Sequence, residues 1–367
     1  MAYVPVFLVT ALFAFVATPL IRRLAVRIGA IDRPSDRKVH PKPTPTLGGL
    51  AIWLACLAGL AVAYAMPSFD RLFASSSEPL GLVLAGTVIV GLGSFDDVRG
   101  LAVPAKVAGQ VLAAGLLILS GVQLLYFWLP GTGVLTLVPE LAVPLTVIWV
   151  LAMINAVNLI DGLDGLAAGV AAIAAAAFLA YVISSPGITE EPSSAGLFSV
   201  MVIGAALGFL PHNFNPAKIF MGDSGSMLLG LMLAAATISG VGRTGEYPTT
   251  AKLAALAIPV LIPLLVLAVP FTDVIWAIFR RLRRRRPVYR PDKEHIHHRL
   301  LDIGHSHRQA VLLMYLWSAL IAAGALAITF IRSRSVVLVV IVSIVVILVG
   351  TAVPRMRRTN GRIRASS

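Results

Sequence analysis

Residues 147–183 read VIWVLAMINAVNLIDGLDGLAAGVAAIAAAAFLAYVI. Two apolar runs flank one polar tract. A membrane-spanning helix needs roughly 20 mostly apolar residues, and the runs predict two spans, about 141–156 and 164–184. Between them polar groups recur every third residue: Asn155, Asn158, Asp161 and Asp164. On one straight helix such a stripe drifts by about 60° per step. Gly162 and Gly165 predict a break there. Four polar groups between apolar runs are hard to explain as packing, so a re-aimed cluster at the mouth of the two spans is expected.

The rest of the chain extends this pattern. Of 367 residues, 58% are hydrophobic and 13% charged, with a mean hydropathy of +0.89. An average soluble domain is about 25% charged, so a soluble globular protein is excluded, and so is a disordered one. Nine further apolar tracts bring the expected spans to eleven: about 3–21, 47–66, 80–95, 104–121, 196–211, 225–240, 253–279, 310–331 and 335–353. The fold class is therefore all-α, a polytopic membrane protein. Residues 1–353 are read as one transmembrane catalytic domain and 354–367 as a basic tail. The first span has no basic segment before it and reads as a retained helix rather than a cleavable signal. Cys56 lies in an apolar run and reads as a filler of lipid-facing or core volume.

The net charge of +13 would suggest nucleic acid in a soluble protein. Here it sets orientation. With the N-terminus outside, 25 of the 30 Lys and Arg residues fall on the inner side and five outside. The positive-inside rule then predicts an extracytoplasmic N-terminus and a cytoplasmic C-terminus, and no nucleic-acid partner. Acidic residues obey no such rule, yet every Asp except Asp70 lies at or near the inner face, as do all seven histidines. The inner segments 22–46, 93–106, 155–165, 211–226 and 280–308 are where chemistry is expected.

Each segment has a distinct donor set. Segment 32–49 (DRPSDRKVHPKPTPTLGG) contains four prolines, which forbid a continuous helix. Its Lys38 and Lys42 are candidate anion contacts. Segment 93–106 (GSFDDVRGLAVPAK) carries the adjacent carboxylates Asp96 and Asp97, with Lys106 as a phosphate contact. Adjacent carboxylates share a site only near a helix terminus, and a divalent cation or a raised pKa relieves their repulsion. A hard cation such as Mg²⁺ wants carboxylate oxygens. Segment 211–226 (PHNFNPAKIFMGDSGS) sets Asp223 between Gly222 and Gly225, where the backbone could approach a ligand. Asp223 also reads as an N-cap of the next helix. Phe220 is a candidate stacking platform, and Asn213 and Asn215 offer amides. Segment 290–308 (RPDKEHIHHRLLDIGHSHR) clusters His295, His297 and His298 beside Arg299. The HExxH spacing of a zinc site is missing, and imidazolium beside Arg suits phosphate better. His305 and His307 are weaker candidates, and Asp273 reads as a structural partner of a basic residue.

Aspartates, basic groups and an aromatic at a membrane face fit cation-assisted phosphoryl transfer, where positioning and charge neutralisation do most of the catalysis. An ion-coupled transporter using Asp161 and Asp164 is the alternative of another class. It is disfavoured because transport sites lie near the midplane.

The blocks RKVHPKPTPTLGG (37–49), GSFDDVRGL (93–101), NAVNLIDGLDGLAAG (155–169), FNPAKIFMGDSGS (214–226) and HIHHRL (295–300) resemble those of the polyprenyl-phosphate N-acetylhexosamine-1-phosphate transferases, over residues 1 to about 353. The resemblance implies attack of a polyprenyl phosphate on a UDP-sugar with Mg²⁺, or Mn²⁺ in its place, releasing UMP. It implies Asp223 as metal ligand with Asp96 or Asp97, and Asp96 and Asp97 as base or nucleophile. Asp161, Asp164 and His297 join the catalytic set. Asn158, Asp161 and Phe220 fall on the uridine side with Asn213 nearby, and Asn155 joins the substrate-binding set. His295, His297, His298 and Arg299 would hold the sugar or pyrophosphate. Lys38, Lys42 and Lys106 would hold phosphates. A homodimer is implied by the resemblance only. Ile296 interrupts the three consecutive histidines typical of the branch that transfers phospho-N-acetylmuramoyl-pentapeptide. The branch using UDP-N-acetylglucosamine is therefore favoured.

Overall fold

In hydrocarbon each backbone N–H and C=O needs a partner within its own segment, which leaves helices as the way for so apolar a chain to fold. The computed structural model describes residues 1–34, 42–129, 133–184, 191–241, 283, 305–331 and 334–352. Its helices are α1 (Tyr3–Ile28), α2 (Gly48–Tyr64), α3 (Asp70–Ser75), α4 (Glu78–Arg99), α5 (Val103–Leu119), α6 (Pro139–Ile160), α7 (Leu166–Ser184), α8 (Ser194–Asn213), α9 (Gly222–Val241), α10 (His307–Phe330) and α11 (Arg334–Ala352). Ten of the eleven expected tracts fall on helices, and the tract 253–279 lies outside the described residues. The protein is an all-α, multi-pass membrane protein.

Six described helices, α1, α4, α6, α7, α8 and α10, are long and apolar enough to cross a membrane alone. A seventh candidate is bent. α2 ends near Tyr64, and the chain turns by 91° into Pro67–Ser75. Pro67 opens that segment, where its missing N–H costs nothing. α5 and the stretch Leu338–Ile347 of α11 are apolar but shorter.

α9 forms the axis. It packs against α2, α4, α6, α7 and α8, and residues 227–229, 231–236 and 238 are almost wholly buried. Between helices in lipid, close packing substitutes for the hydrophobic drive, and small residues permit it. α7 (LAAGVAAIAAAAFLAYVIS) supplies alanines on most of its surface. Gly230 of α9 leaves no room for a Cβ against the backbone of Met153 and Ile154 in α6. Cys56 is a core residue, with its Sγ 3.6 Å from Met232 Sδ. α1 covers α2 and α8, α5 covers α4 and α6, and α10 lies on α7. α11 packs on α10 and exposes Leu338, Val339, Val342 and Val346, as a lipid-facing helix would.

Two short antiparallel pairs were not expected from the sequence. β1 (Ile31–Asp32) pairs with β2 (Thr44–Pro45), and β3 (Tyr126–Leu129) with β4 (Gly133–Thr136). The second is rich in aromatic and β-branched residues, a signal too short for a span-length hydropathy window. At one end of the bundle, called here the polar end, the C-termini of α1, α4, α6 and α8 meet the N-termini of α2, α5, α7, α9 and α10. Hydrogen bonds across that end fix the arrangement.

Candidate functional site

The polar end is assembled by trading orphaned helix-terminal groups. The first N–H groups of α2 have no partner within the helix. Gly48 N donates to Phe220 O at 3.0 Å and Gly49 N to Met221 O at 2.9 Å, while Phe220 N donates to Pro45 O at 2.9 Å. Leu47 adopts a left-handed backbone (φ 74°) to make this entry. The segment before α9 is thereby tied to the entry of α2.

Asp97 caps α9 from another helix. Its Oδ1 accepts from Asp223 N at 2.8 Å, and its Oδ2 from Ser224 Oγ at 2.9 Å and Ser224 N at 3.3 Å. This corrects one reading. The N-terminal amides of α9 are taken by Asp97, so Asp223 does not cap its own helix. The glycines around this point permit close approach within the chain. A Cβ on Gly222 (φ 69°) would collide with Asp97 and Thr46, one on Gly93 with Ser224, and one on Gly49 with Ser224 and Gly225.

Asp96 faces elsewhere, as expected of neighbours on a helix end. Its Oδ1 accepts from Leu101 N at 2.5 Å, and its Oδ2 from Lys106 Nζ at 2.9 Å. The same ammonium is ion-paired with Asp223 Oδ2. Asn158 Nδ2 completes Asp223, donating to its Oδ1 at 2.9 Å and to Ser226 Oγ at 2.9 Å. One side chain each from α4, α5, α6 and α9 therefore meets at a single point. The side chains of Asp96, Lys106 and Asp223 keep 14%, 20% and 28% of their exposure, so the cluster is reachable from the polar end.

Charge there is unbalanced. Asp96 and Asp223 share Lys106, Asp97 beside them caps α9, and Asp161 lies just beyond the end of α6. Among the described residues the Asp161 carboxylate has no hydrogen-bond partner. Burial, reinforced by the charges of Asp97 and Asp164, pushes its pKa up to about 8. Among the described residues no three His, Cys, Asp or Glu groups converge as a ready-made metal cage. The donor set still fits Mg²⁺, which usually takes one or two carboxylates and fills its shell with water and substrate phosphate. Asp96 and Asp223 already share one cation, the Lys106 ammonium, and are the residues that would hold the metal.

Asp164 belongs to a second cluster. Its Oδ2 accepts from Asn215 Nδ2 at 2.8 Å and Ala217 N at 3.0 Å, and its own N–H donates to His307 Nε2 at 2.9 Å. Asn213 is 2% exposed, with its Oδ1 accepting from Gly165 N at 3.0 Å and its Nδ2 donating to Ile219 O at 3.0 Å. Arg308 Nε donates to Asn215 O at 2.9 Å, and Tyr315 donates to Gly165 O. The helix break expected at 161–165 is present. α6 ends at Ile160, Gly165 turns left-handed (φ 82°), and α7 starts at Leu166.

The other candidates scatter. Asn155 donates to Gln110 Oε1 and Leu151 O, both at 2.8 Å, one turn below Asn158. Phe220 is half-buried in the strand-like segment before α9, and Lys42 is exposed. Lys38, His295, His297, His298, Arg299 and Asp273 lie outside the described residues. Three polar participants were missed. Gln110 follows Lys106 by four residues and so shares its helix face. Ser224 and Ser226 flank Gly225, and their hydroxyls bond the two carboxylates' neighbourhood. At the opposite end of the bundle a cavity of about 690 Å³ is lined by Tyr3, Phe7, Leu179, Val182 and Val200 with Glu191. Glu191 is paired with Arg71, and no comparable carboxylate cluster lines it.

Comparison with known proteins places the chain in a family. Residues 79–241, which include Asp96, Asp97, Lys106, Asn158, Asp161 and Asp223, match the family model described as glycosyl transferase family 4. The chain is 43% identical over 360 residues to the decaprenyl-phosphate N-acetylglucosaminephosphotransferase of Mycobacterium leprae, covering 96% of this chain and 90% of that protein. It is 42% identical to the protein of the same name from Mycobacterium tuberculosis, covering 96% and 88%. It is 30% identical to the undecaprenyl-phosphate alpha-N-acetylglucosaminyl 1-phosphate transferase of Escherichia coli, covering 88% and 82%.

Proposed function

Because this chain belongs to glycosyl transferase family 4, we propose that it transfers N-acetylglucosamine 1-phosphate from UDP-N-acetylglucosamine to a polyprenyl phosphate. The products are polyprenyl-pyrophosphate-N-acetylglucosamine and UMP. The observation that carries this reading is the meeting of Asp96, Lys106, Asn158 and Asp223 at the end of an apolar bundle. The printed names of the relatives support the acceptor and the sugar. A lipid acceptor arrives within the bilayer and a nucleotide sugar from water, so the site belongs at a membrane face. The distribution of basic residues supports the cytoplasmic face of a bacterial inner membrane, with the N-terminus outside.

A phosphate monoester has its second pKa near about 6, so the acceptor is already mostly dianionic at neutral pH. A strong base would add little. The acceptor oxygen attacks the donor's β-phosphorus, a new P–O bond forms, and the bond to the bridging oxygen breaks. UMP leaves with that oxygen. A magnesium ion bound here would neutralise charge on the pyrophosphate and align it. Asp96 and Asp223 would hold that cation, and Asn158 orients Asp223. Asp97 fixes the start of α9 and with it the Asp223 carboxylate. With its oxygens committed to α9, Asp97 is a poor nucleophile, which favours direct attack over a covalent aspartyl intermediate. Asp161, without a hydrogen-bond partner among the described residues and close enough to feel the charges of Asp97 and Asp164, is able to hold a proton or a polar group of the donor.

The test is UMP release across a panel of UDP-sugars, with and without polyprenyl phosphate. Release from UDP-N-acetylglucosamine that requires the lipid is expected. Labelled phosphosugar trapped on the protein without lipid would contradict direct attack.

A further inference from the structure

We propose that Lys106 competes with the divalent cation. Its ammonium occupies the position between Asp96 and Asp223 in the metal-free protein and gives it up when the metal enters. The proposal deepens the divalent-cation reading above and rests on it.

Four observations lead here. The ammonium touches one oxygen of each carboxylate, Asp96 Oδ2 and Asp223 Oδ2, so it stands where a cation shared by both would stand. Mg²⁺ commonly takes this number of carboxylates. Lys106 lies in the first turn of α5, where a cation opposes the helix dipole. Its placement is therefore set by the two carboxylates and not by its own helix. Asp97, the remaining carboxylate, is engaged by α9 and offers the ammonium no third partner. A lysine on a flexible four-carbon stem can leave without moving the backbone, and the three side chains keep enough exposure to exchange with solvent ions.

The alternative is that Lys106 only holds the carboxylates in register. The two roles predict opposite signs. If the ammonium competes, removing its charge tightens metal binding. If it only positions Asp96 and Asp223, removing it lets them separate and weakens binding.

The experiment titrates Mn²⁺ into the purified full-length protein, read by the electron paramagnetic resonance signal of free ion. It compares wild type with Lys106→Met, Lys106→Gln and Asp223→Asn. The expected result is Mn²⁺ binding at least about tenfold tighter in both Lys106 variants, as loss of a charge adjacent to a half-buried cation site implies. Asp223→Asn should bind at least about tenfold more weakly. A larger Mn²⁺-induced rise in unfolding temperature for the Lys106 variants than for wild type is the second readout, and it serves if one variant expresses poorly. Equal or weaker binding in both Lys106 variants, with wild type still binding and Asp223→Asn not, overturns competition and leaves the cation reading standing. No binding by any form, or undiminished binding in Asp223→Asn, overturns the cation reading and this proposal with it.

Discussion

Asp223 and Asp164 are both aspartates beside a loop at the polar end, yet their surroundings differ in kind. Asp223 meets side chains from other helices, Lys106 and Asn158, and keeps 28% of its exposure. Asp164 accepts from the 215–217 loop and sends its own N–H to His307, while the nearby Asn213 is committed to two backbone groups. Among the described residues the first cluster carries more negative than positive charge, and its neighbour Asp161 has no hydrogen-bond partner. The second is satisfied by the chain itself. Polar residues in a membrane protein are thus not equally informative. The groups left with spare charge and spare valence mark chemistry, and those closed by backbone partners mark scaffolding.

That contrast is most strongly tested by Asp223→Asn. It keeps size and the capped helix but removes the charge, so turnover should fall roughly 10³-fold or more while the unfolding temperature stays within a few degrees of wild type. Asp164→Ala should do the reverse. It strips the acceptor from Asn215 and Ala217, at a cost of roughly 2–3 kcal/mol. Thermal unfolding should come several degrees earlier, with faster hydrogen exchange in residues 213–218 and a smaller loss of turnover than in Asp223→Asn. If the two variants behave alike, the distinction between the clusters collapses.

Gly222→Ala falls between the regions. It adds a Cβ against Asp97 and Thr46 at a left-handed position, which should cost about 2–3 kcal/mol and displace the start of α9. Stability and turnover should drop together, and the position of Asp223 should shift in a structure of the variant. Asn213→Ala should lower stability by about 1–2 kcal/mol, read in denaturant or heat, with turnover largely retained.

A pH dependence sharpens the electrostatics. Asp161 has its folded pKa raised to about 8 from the ordinary carboxyl value of 3.8. Ionising it therefore disfavours the fold, a penalty absent below about pH 4 that grows until pH passes about 8. In metal-free protein, Asp161→Asn should gain stability relative to wild type as pH rises from 5 to 8. A constant difference across that window would mean that neither burial nor the charges of Asp97 and Asp164 raise the Asp161 carboxyl.

The apolar runs and the break after Ile160 were legible because both follow from local sequence, namely span length and glycine placement. The site's membership was legible in large part because carboxylates are rare in so apolar a chain. The division of labour was not. Asp96 and Asp97 are neighbours, and only the positions of α5 and α9 decide that one faces Lys106 and the other caps a helix. The same holds for Asn213, whose amide reads as a ligand contact until Gly165 and Ile219 are seen to occupy it. Gly222 reads as room for a ligand, and tertiary packing shows that it, with Gly49 and Gly93, also leaves room for the close approach of α2, α4 and α9. The hairpin of β3 and β4 escaped because its signal is shorter than a span.

The central claim is that an aspartate-held cation site at the polar end performs phosphosugar transfer. UMP release from UDP-N-acetylglucosamine, measured with polyprenyl phosphate and Mg²⁺ for wild type, Asp223→Asn and Asp164→Asn side by side, tests it most directly. The account predicts lipid-dependent release by wild type, near-complete loss in Asp223→Asn and substantial retention in Asp164→Asn. Release by Asp223→Asn at the wild-type rate, or none by wild type with any UDP-sugar, would contradict it.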